Sequence, residues 1–195
     1  SIQQIEEENR KAQVDSSQAN QPAEAEAAKE TKKKYLFLKG TFNYGGRNKT
    51  YGLISCILDK ETQELIRLDL LEKDQNFNFR LEASLRGVAE FYRNQLNNYR
   101  SKEMAKQLSV NLTRDVIAEI FTAASKNDTD VIADIFKEKL EDILQESTRL
   151  QIVKETIPHQ ELKMVYPELF ASSEEEEETE AEETTGLSGV NEPKE

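Results

Sequence analysis

The spacing of apolar residues changes once along the chain, and this change constrains the fold more than any other feature. Between residues 35 and 81, short runs alternate apolar and polar residues, which is typical of half-buried antiparallel strands. Between residues 82 and 144, apolar residues recur every three or four positions, which predicts amphipathic helices. Because the strands come first, the order favours an α+β domain with helices packed on one face of an antiparallel sheet.

The first part of the chain predicts a four-stranded antiparallel meander. We expect its strands over residues 35–44, 50–58, 65–71 and 76–81. The run Gly45-Gly46-Arg47-Asn48 predicts the first hairpin turn, because glycine and asparagine tolerate a positive φ. Residues 150–157 alternate again, which indicates a late strand that could rejoin the sheet.

The second part predicts three to four helices. Apolar stripes run over residues 85–96 and 104–112, with a break expected near residues 97–98, and a further stripe covers 116–121. The clearest stripe lies at residues 131–144. The short polar link at residues 126–128 predicts that the last two helices form an antiparallel hairpin.

Charge divides the chain into three segments. The formal net charge is −12, but residues 172–195 contain ten acids and one lysine, and residues 1–31 contain seven acids and three bases. Residues 32–171 are therefore close to neutral. We expect a polar, flexible or partly helical arm over 1–31, a single α+β domain over 32–171, and a disordered acidic tail over 172–195 with too little apolar surface to fold.

The sequence predicts a soluble protein with no membrane span, and a cytoplasmic location. No stretch approaches the roughly 20 apolar residues that cross a bilayer. Because the chain begins at Ser1 and not at methionine, an N-terminal signal or anchor could have been removed.

Cysteine and histidine are too few for the commonest nucleophile and metal sites. The chain has one cysteine, Cys56, inside an apolar strand, where we expect a buried and inert thiol. The single histidine, His159, follows a proline and is expected in an exposed loop. We therefore predict a chain that is not an enzyme, with no catalytic, cofactor-binding or metal-binding residues.

Three aspartates near residue 130 superficially suggest a calcium site. Asp128, Asp130 and Asp134 lack the central glycine and distal glutamate of a calcium loop. They suit the start of a helix, where a carboxylate complements the helix dipole, and capping is the favoured interpretation.

The lack of a catalytic, cofactor-binding or metal-binding pattern favours a non-enzymatic protein–protein interaction or assembly component, with a protein as its partner. The first hairpin and the helix over residues 131–144 are the expected contact surfaces. For the three helix residues among them, the alternative is an ordinary place in the core. The candidate contacts are Arg47, Lys49, Tyr51, Ile135, Phe136 and Leu140.

Single-stranded nucleic acid is the alternative partner. Basic residues near aromatic residues on a sheet could neutralise phosphates while the rings stack on bases. The glutamate run at 174–178 would then repel the ligand or occupy the basic patch itself as an autoinhibitor. The candidate nucleic-acid contacts are Lys32, Lys33, Lys34, Tyr35, Tyr44 and Arg47.

Overall fold

The computed structural model describes residues 32–73, 81 and 83–171, and every structural statement below concerns these residues. The first three strands form the predicted meander. They are β1 (Lys34–Tyr44), β2 (Thr50–Asp59) and β3 (Leu65–Lys73). β1 and β2 pair in antiparallel register from Tyr35 opposite Asp59 to Tyr44 opposite Thr50.

The fourth strand of the sheet comes from the end of the domain. β4 (Thr148–Pro158) pairs antiparallel with β1 along its whole length, so the sheet order is β3-β2-β1-β4. This strand is the late strand indicated by the alternation at residues 150–157. Of the strand predicted over 76–81, residues 76–80 lie outside the described residues, and Leu81 lies in a turn.

Five α-helices accompany the sheet in the described residues: α1 (Leu85–Arg93), α2 (Tyr99–Asn111), α3 (Arg114–Ser125), α4 (Thr129–Leu144) and α5 (His159–Val165). A short 3₁₀ helix follows at Pro167–Leu169. The break between α1 and α2 contains the predicted one at residues 97–98. No helix in this part of the chain combines the length and apolar character needed to cross a membrane.

The first four helices share one start signal. Each begins after a residue whose side chain accepts a hydrogen bond from the backbone N–H three positions ahead, which satisfies a donor that the helix itself leaves free. These residues are Ser84, Asn98, Thr113 and Asp128. The capping interpretation of Asp128 is thereby confirmed.

The α+β class with a four-stranded antiparallel sheet is confirmed, and the helices cover both faces of that sheet. Successive residues of β1 point to opposite faces, with Leu36 and Leu38 in one core and Tyr35 and Phe37 in the other. The first core packs against α2, α3 and α4, and the second against α1 and α5. Because both sets of side chains are apolar, a single helical layer would leave one set exposed to water.

One close contact inside the sheet depends on a glycine. Gly52 of β2 lies opposite Phe42 of β1, and a Cβ built on Gly52 would lie 1.9 Å from the Cζ of Phe42. The Phe42 ring is 1% exposed and therefore occupies the space over the Gly52 Cα. No larger residue fits at position 52 unless the ring moves out of the core.

We expect Gly52→Ala to lower the free energy of unfolding by about 2–3 kcal/mol, because the new methyl group overpacks the Phe42 site. Urea unfolding monitored by circular dichroism measures this change. The matched control is Gly87→Ala in α1, where the added Cβ would meet its nearest neighbour at 3.5 Å. That change should be neutral or stabilising by up to about 1 kcal/mol. Equal effects of the two substitutions would contradict the close packing of Phe42 on Gly52.

Candidate interaction surfaces

The tip of the β1–β2 hairpin is accessible. Gly45 and Gly46 have φ values of 85° and 20°, as the glycine pair predicts, and Arg47 and Lys49 are exposed. Tyr51 is half-buried in β2. Contact of a partner with these residues stays a prediction.

The predicted helix contacts divide into core and surface. Phe136 and Leu140 are 0% exposed and belong to the core between α4 and the sheet, so a partner of the folded chain does not reach them. Ile135 is half-buried and lines an open groove of about 440 Å³ between α3 and α4, together with the exposed Val131. For Phe136 and Leu140, the structure therefore shows the core alternative.

The candidate nucleic-acid residues do not share one surface. Lys34 and Tyr44 are the two ends of β1, which lie about 30 Å apart at the usual rise of a strand. Tyr35 and Tyr44 point to opposite faces and are only 3% and 8% exposed. The Tyr44 hydroxyl donates to Oε2 of Glu72 at 2.9 Å, and burial raises its pKa. Neither ring is available in this fold for stacking on a base.

The expectation of an exposed histidine loop is wrong. His159 is 7% exposed at the start of α5, and its Nδ1 lies 2.9 Å from the hydroxyl oxygen of Tyr35. Its ring lies edge-on to that of Phe170, with the ring centroids 4.9 Å apart. The reason is that α5 follows β4 without a loop and packs back on the sheet, which carries the ring into the second core.

A helix side chain is hydrogen-bonded to a main-chain N–H at each edge of the sheet. At the β3 edge, the backbone N–H of Glu72 donates to the Ser101 hydroxyl of α2 at 3.1 Å. The Tyr92 hydroxyl of α1 lies 2.9 Å from the carbonyl oxygen of Leu53 and 3.4 Å from that of Asp69. Because Leu53 belongs to β2, the Tyr92 hydroxyl reaches carbonyls between β2 and β3 and not at the outer edge. Among the described residues, the N–H of Glu72 is therefore the outer main-chain group of β3 that has a helix side chain as its partner.

The β4 edge has one such contact within the described ranges. Only its first residue, Thr148, donates a backbone N–H to a helix side chain, the Oε1 of Glu141 at 2.9 Å. Arg149, Gln151, Val153 and Glu155 alternate along the strand and are all exposed on the face away from α4. The remaining ten residues of the strand thus present an outer edge to which no described element is hydrogen-bonded.

Sequence reasoning missed this edge as a surface. The alternation at residues 150–157 carried the only signal, since its polar positions mark a face that water reaches. Which strand lies at the rim follows from pairing order, and the pairing of β1 with β4 joins distant parts of the chain.

Among the described residues, a cluster of polar and aromatic side chains beside β3 most resembles the active site of an enzyme. Arg67 binds Asp69 with Nε–Oδ2 and Nη2–Oδ1 distances of 2.7 and 3.3 Å. Its Cζ lies 4.6 Å from the centroid of the Tyr166 ring, and Cζ of Arg93 lies 5.4 Å from the same centroid. Nearby, Arg67, Asp69 and Arg93 help to line a small cavity of about 110 Å³.

The tyrosines of this cluster are poorly suited to proton transfer at neutral pH. Burial raises the pKa of Tyr166 to about 12, and burial also raises the pKa of Tyr92 well above its usual value. Both shifts move the pKa further above neutral pH, whereas a general base works best when its pKa lies near the pH of the reaction. Among the described residues, no three histidine, cysteine, aspartate or glutamate side chains are grouped so that they could hold a metal ion.

Comparison of the chain with protein-family models, with curated proteins and with solved structures gave no match. Its function is therefore inferred from the surfaces described above.

We expect Tyr166→Phe to leave the stability unchanged or to raise it, because the Tyr166 hydroxyl is buried and has no hydrogen-bond partner among the described residues. Tyr92→Phe is the matched control, since it removes a hydroxyl that donates to Leu53 at 2.9 Å. The control should lose about 1 kcal/mol in urea unfolding. A larger loss for Tyr166→Phe than for Tyr92→Phe would show that the Tyr166 hydroxyl has a partner.

Proposed function

We propose that this chain is a non-enzymatic protein–protein interaction or assembly component that pairs the outer edge of β4 with an extended strand of its partner. The observation that carries the proposal is the length of unpaired main chain at the outer edge of β4. Among the described residues, the main chain of residues 149–158 is hydrogen-bonded to β1 and to no other element.

Strand addition suits the chemistry of this edge. An added strand gains main-chain hydrogen bonds along its length, and the side chains on alternate positions select the partner. Charged residues on β4 do protect the edge against indiscriminate pairing. The same charges favour a partner that places opposite charges across from them.

A second copy of this chain meets that condition. If two β4 strands pair antiparallel about a twofold axis at Ile152, Arg149 of each copy lies opposite Glu155 of the other. Gln151 then lies opposite Val153 of the other copy, on the same face of a continuous eight-stranded sheet. Oppositely charged cross-strand pairs stabilise a ladder, so β4 is self-complementary in this register.

The hairpin tip flanks the same edge. β4 starts opposite Tyr44, the last residue of β1 before the turn, so Arg47 and Lys49 lie beyond the end of the sheet where β4 begins. A strand longer than β4 would extend past this tip. We therefore keep Arg47 and Lys49 as proposed flanking contacts.

Mixed disulfide trapping tests the register. Chains carrying Gln151→Cys and chains carrying Val153→Cys should form a cross-linked dimer under mild oxidation when mixed. Opposite residues of an antiparallel ladder have Cα atoms about 4.5–5.5 Å apart, within the range that a disulfide spans. Non-reducing electrophoresis and mass spectrometry detect the product. Neither variant alone should cross-link efficiently, because identical residues are then offset by two positions.

A matched pair of valines provides the control. Val153 on β4 and Val110 on α2 are both exposed, at 36% and 77%. In sedimentation velocity, Val153→Lys should weaken self-association by up to about tenfold, because each copy then places a charge in the paired ladder. Val110→Lys should have no effect. A chain that stays monomeric at all concentrations and gives no mixed cross-link would contradict self-pairing of β4.

A further inference from the structure

Lys34 and Lys60 lie at the end of the sheet opposite the hairpin tip, and Lys154 of β4 lies four residues further in, opposite Leu38. We call Lys34, Lys60 and Lys154 the lysine end. Lys34 opens β1, and Lys60 follows β2 with its backbone N–H donating to the Lys34 carbonyl at 3.1 Å. The Lys60 ammonium reaches β4, where it lies 2.7 Å from the Thr156 hydroxyl oxygen. Partial burial lowers the pKa of Lys60, and the nearby charges of Lys154 and Lys34 lower it further.

The buried carboxylate at this end of the sheet is already engaged. Asp59 accepts the backbone N–H groups of Glu61 and Thr62 with its Oδ1 at 2.8 and 3.1 Å. Its Oδ2 lies 3.7 Å from the ammonium of Lys33. Within the described residues, Lys34, Lys60 and Lys154 form no ion pair within 4.0 Å. The ammonium groups of the lysine end are thus not paired with a carboxylate of the described residues.

The described chain ends close to this surface. His159 donates its backbone N–H to the carbonyl of Lys33 at 3.0 Å, which fixes the start of α5 beside Lys34. The ring of Phe170 contacts the His159 ring, with centroids 4.9 Å apart. The acidic tail therefore leaves the domain from the same end of the sheet as the lysines.

Charge and reach both match the tail to the lysine end. The tail opens with Ser172-Ser173, and the five glutamates at 174–178 follow directly. Glu174 lies four positions after Phe170, and an extended chain of that length spans up to about 14 Å. A tethered segment this short has an effective concentration of the order of millimolar at a nearby surface. Arg47, at the other end of β1, lies about 30 Å away and is a poorer match.

We propose that the glutamates at 174–178 bind the lysine end of their own chain and compete there with acidic partners. The occupant is this segment because its charge is opposite, its tether is short and its exit point lies beside the surface. An acidic segment of another protein and a nucleic-acid phosphate share its charge, and the experiment distinguishes them. The proposal is independent of strand pairing at the β4 edge.

Paramagnetic relaxation in the full chain tests the contact. A nitroxide attached at Thr179→Cys should broaden the backbone amides of Asp59, Thr156 and Ile157 at about 0.02 M salt, and this broadening should fall roughly threefold at about 0.5 M salt, where exposed charges are screened. Amides at the hairpin tip, residues 46–49, should not be broadened. Cys56 does not compete for the label, since it is buried.

Two double variants with equal net charge separate binding from mere proximity. Lys34→Gln/Lys60→Gln should reduce the low-salt broadening by roughly threefold, because it removes two ion pairs. Lys102→Gln/Lys126→Gln neutralises two exposed lysines, one on α2 and one directly after α3. This variant should leave the broadening unchanged. Equal broadening in both variants would overturn the proposal, because the tail would then be near the surface through its attachment alone.

A fluorescent peptide with the sequence of residues 172–183 identifies the occupant. It should bind more tightly to a chain in which the glutamates at 174–178 are replaced by glutamine than to the unmodified chain, because the replaced tail no longer competes. Equal affinity for the two chains would overturn the proposal. The proposal would also be overturned if neither the peptide nor salt reduced the amide broadening by the spin label and a single-stranded oligonucleotide bound the lysine end instead.

Discussion

The pairing of β1 on both of its sides is the constraint on which the rest of the structure depends. β1 is hydrogen-bonded to β2 and to β4 along nearly its whole length, and its side chains are buried on both faces. The pairing with β4 joins the first and last of the described strands. It also fixes the two surfaces of interest, because it makes β4 a rim strand and brings Lys154 towards Lys34 and Lys60.

A buried lysine connects this central strand to its surroundings. Lys39 lies in the middle of β1 and is 5% exposed, so its charge needs compensation. Its ammonium donates to the carbonyl of Ala83, lies 5.5 Å from the centroid of the Phe37 ring and lies 4.0 Å from Oε2 of Glu155. The contact with Ala83 joins the chain before α1 to the central strand of the sheet.

Different residues form the core and the two surfaces to which we assign a binding role. The core holds Phe136, Leu140 and Tyr35, which are buried and leave the surface to other residues. The rim of the sheet offers main-chain groups and a self-complementary charge pattern to a strand, and the lysine end offers a positive surface to an acidic segment. The charge of the domain is nearly balanced overall, so these local arrangements, and not the net charge of the chain, decide what it attracts.

The sequence by itself determined the type of the four strands β1 to β4 and of the helices α1 to α4, because hydrophobic period and turn chemistry act locally. The meander from β1 to β3, the glycine turn at Gly45-Gly46 and the cap at Asp128 were all predictable in this way. Tertiary structure decided what depends on contacts between distant residues. The rim position of β4 and the approach of Lys154 to Lys60 follow from the β1–β4 pairing. Burial of both sheet faces and of the His159 ring follows from helices that pack on each face. Periodicity reports which side of an element faces the interior, but it carries no information about which distant element lies there.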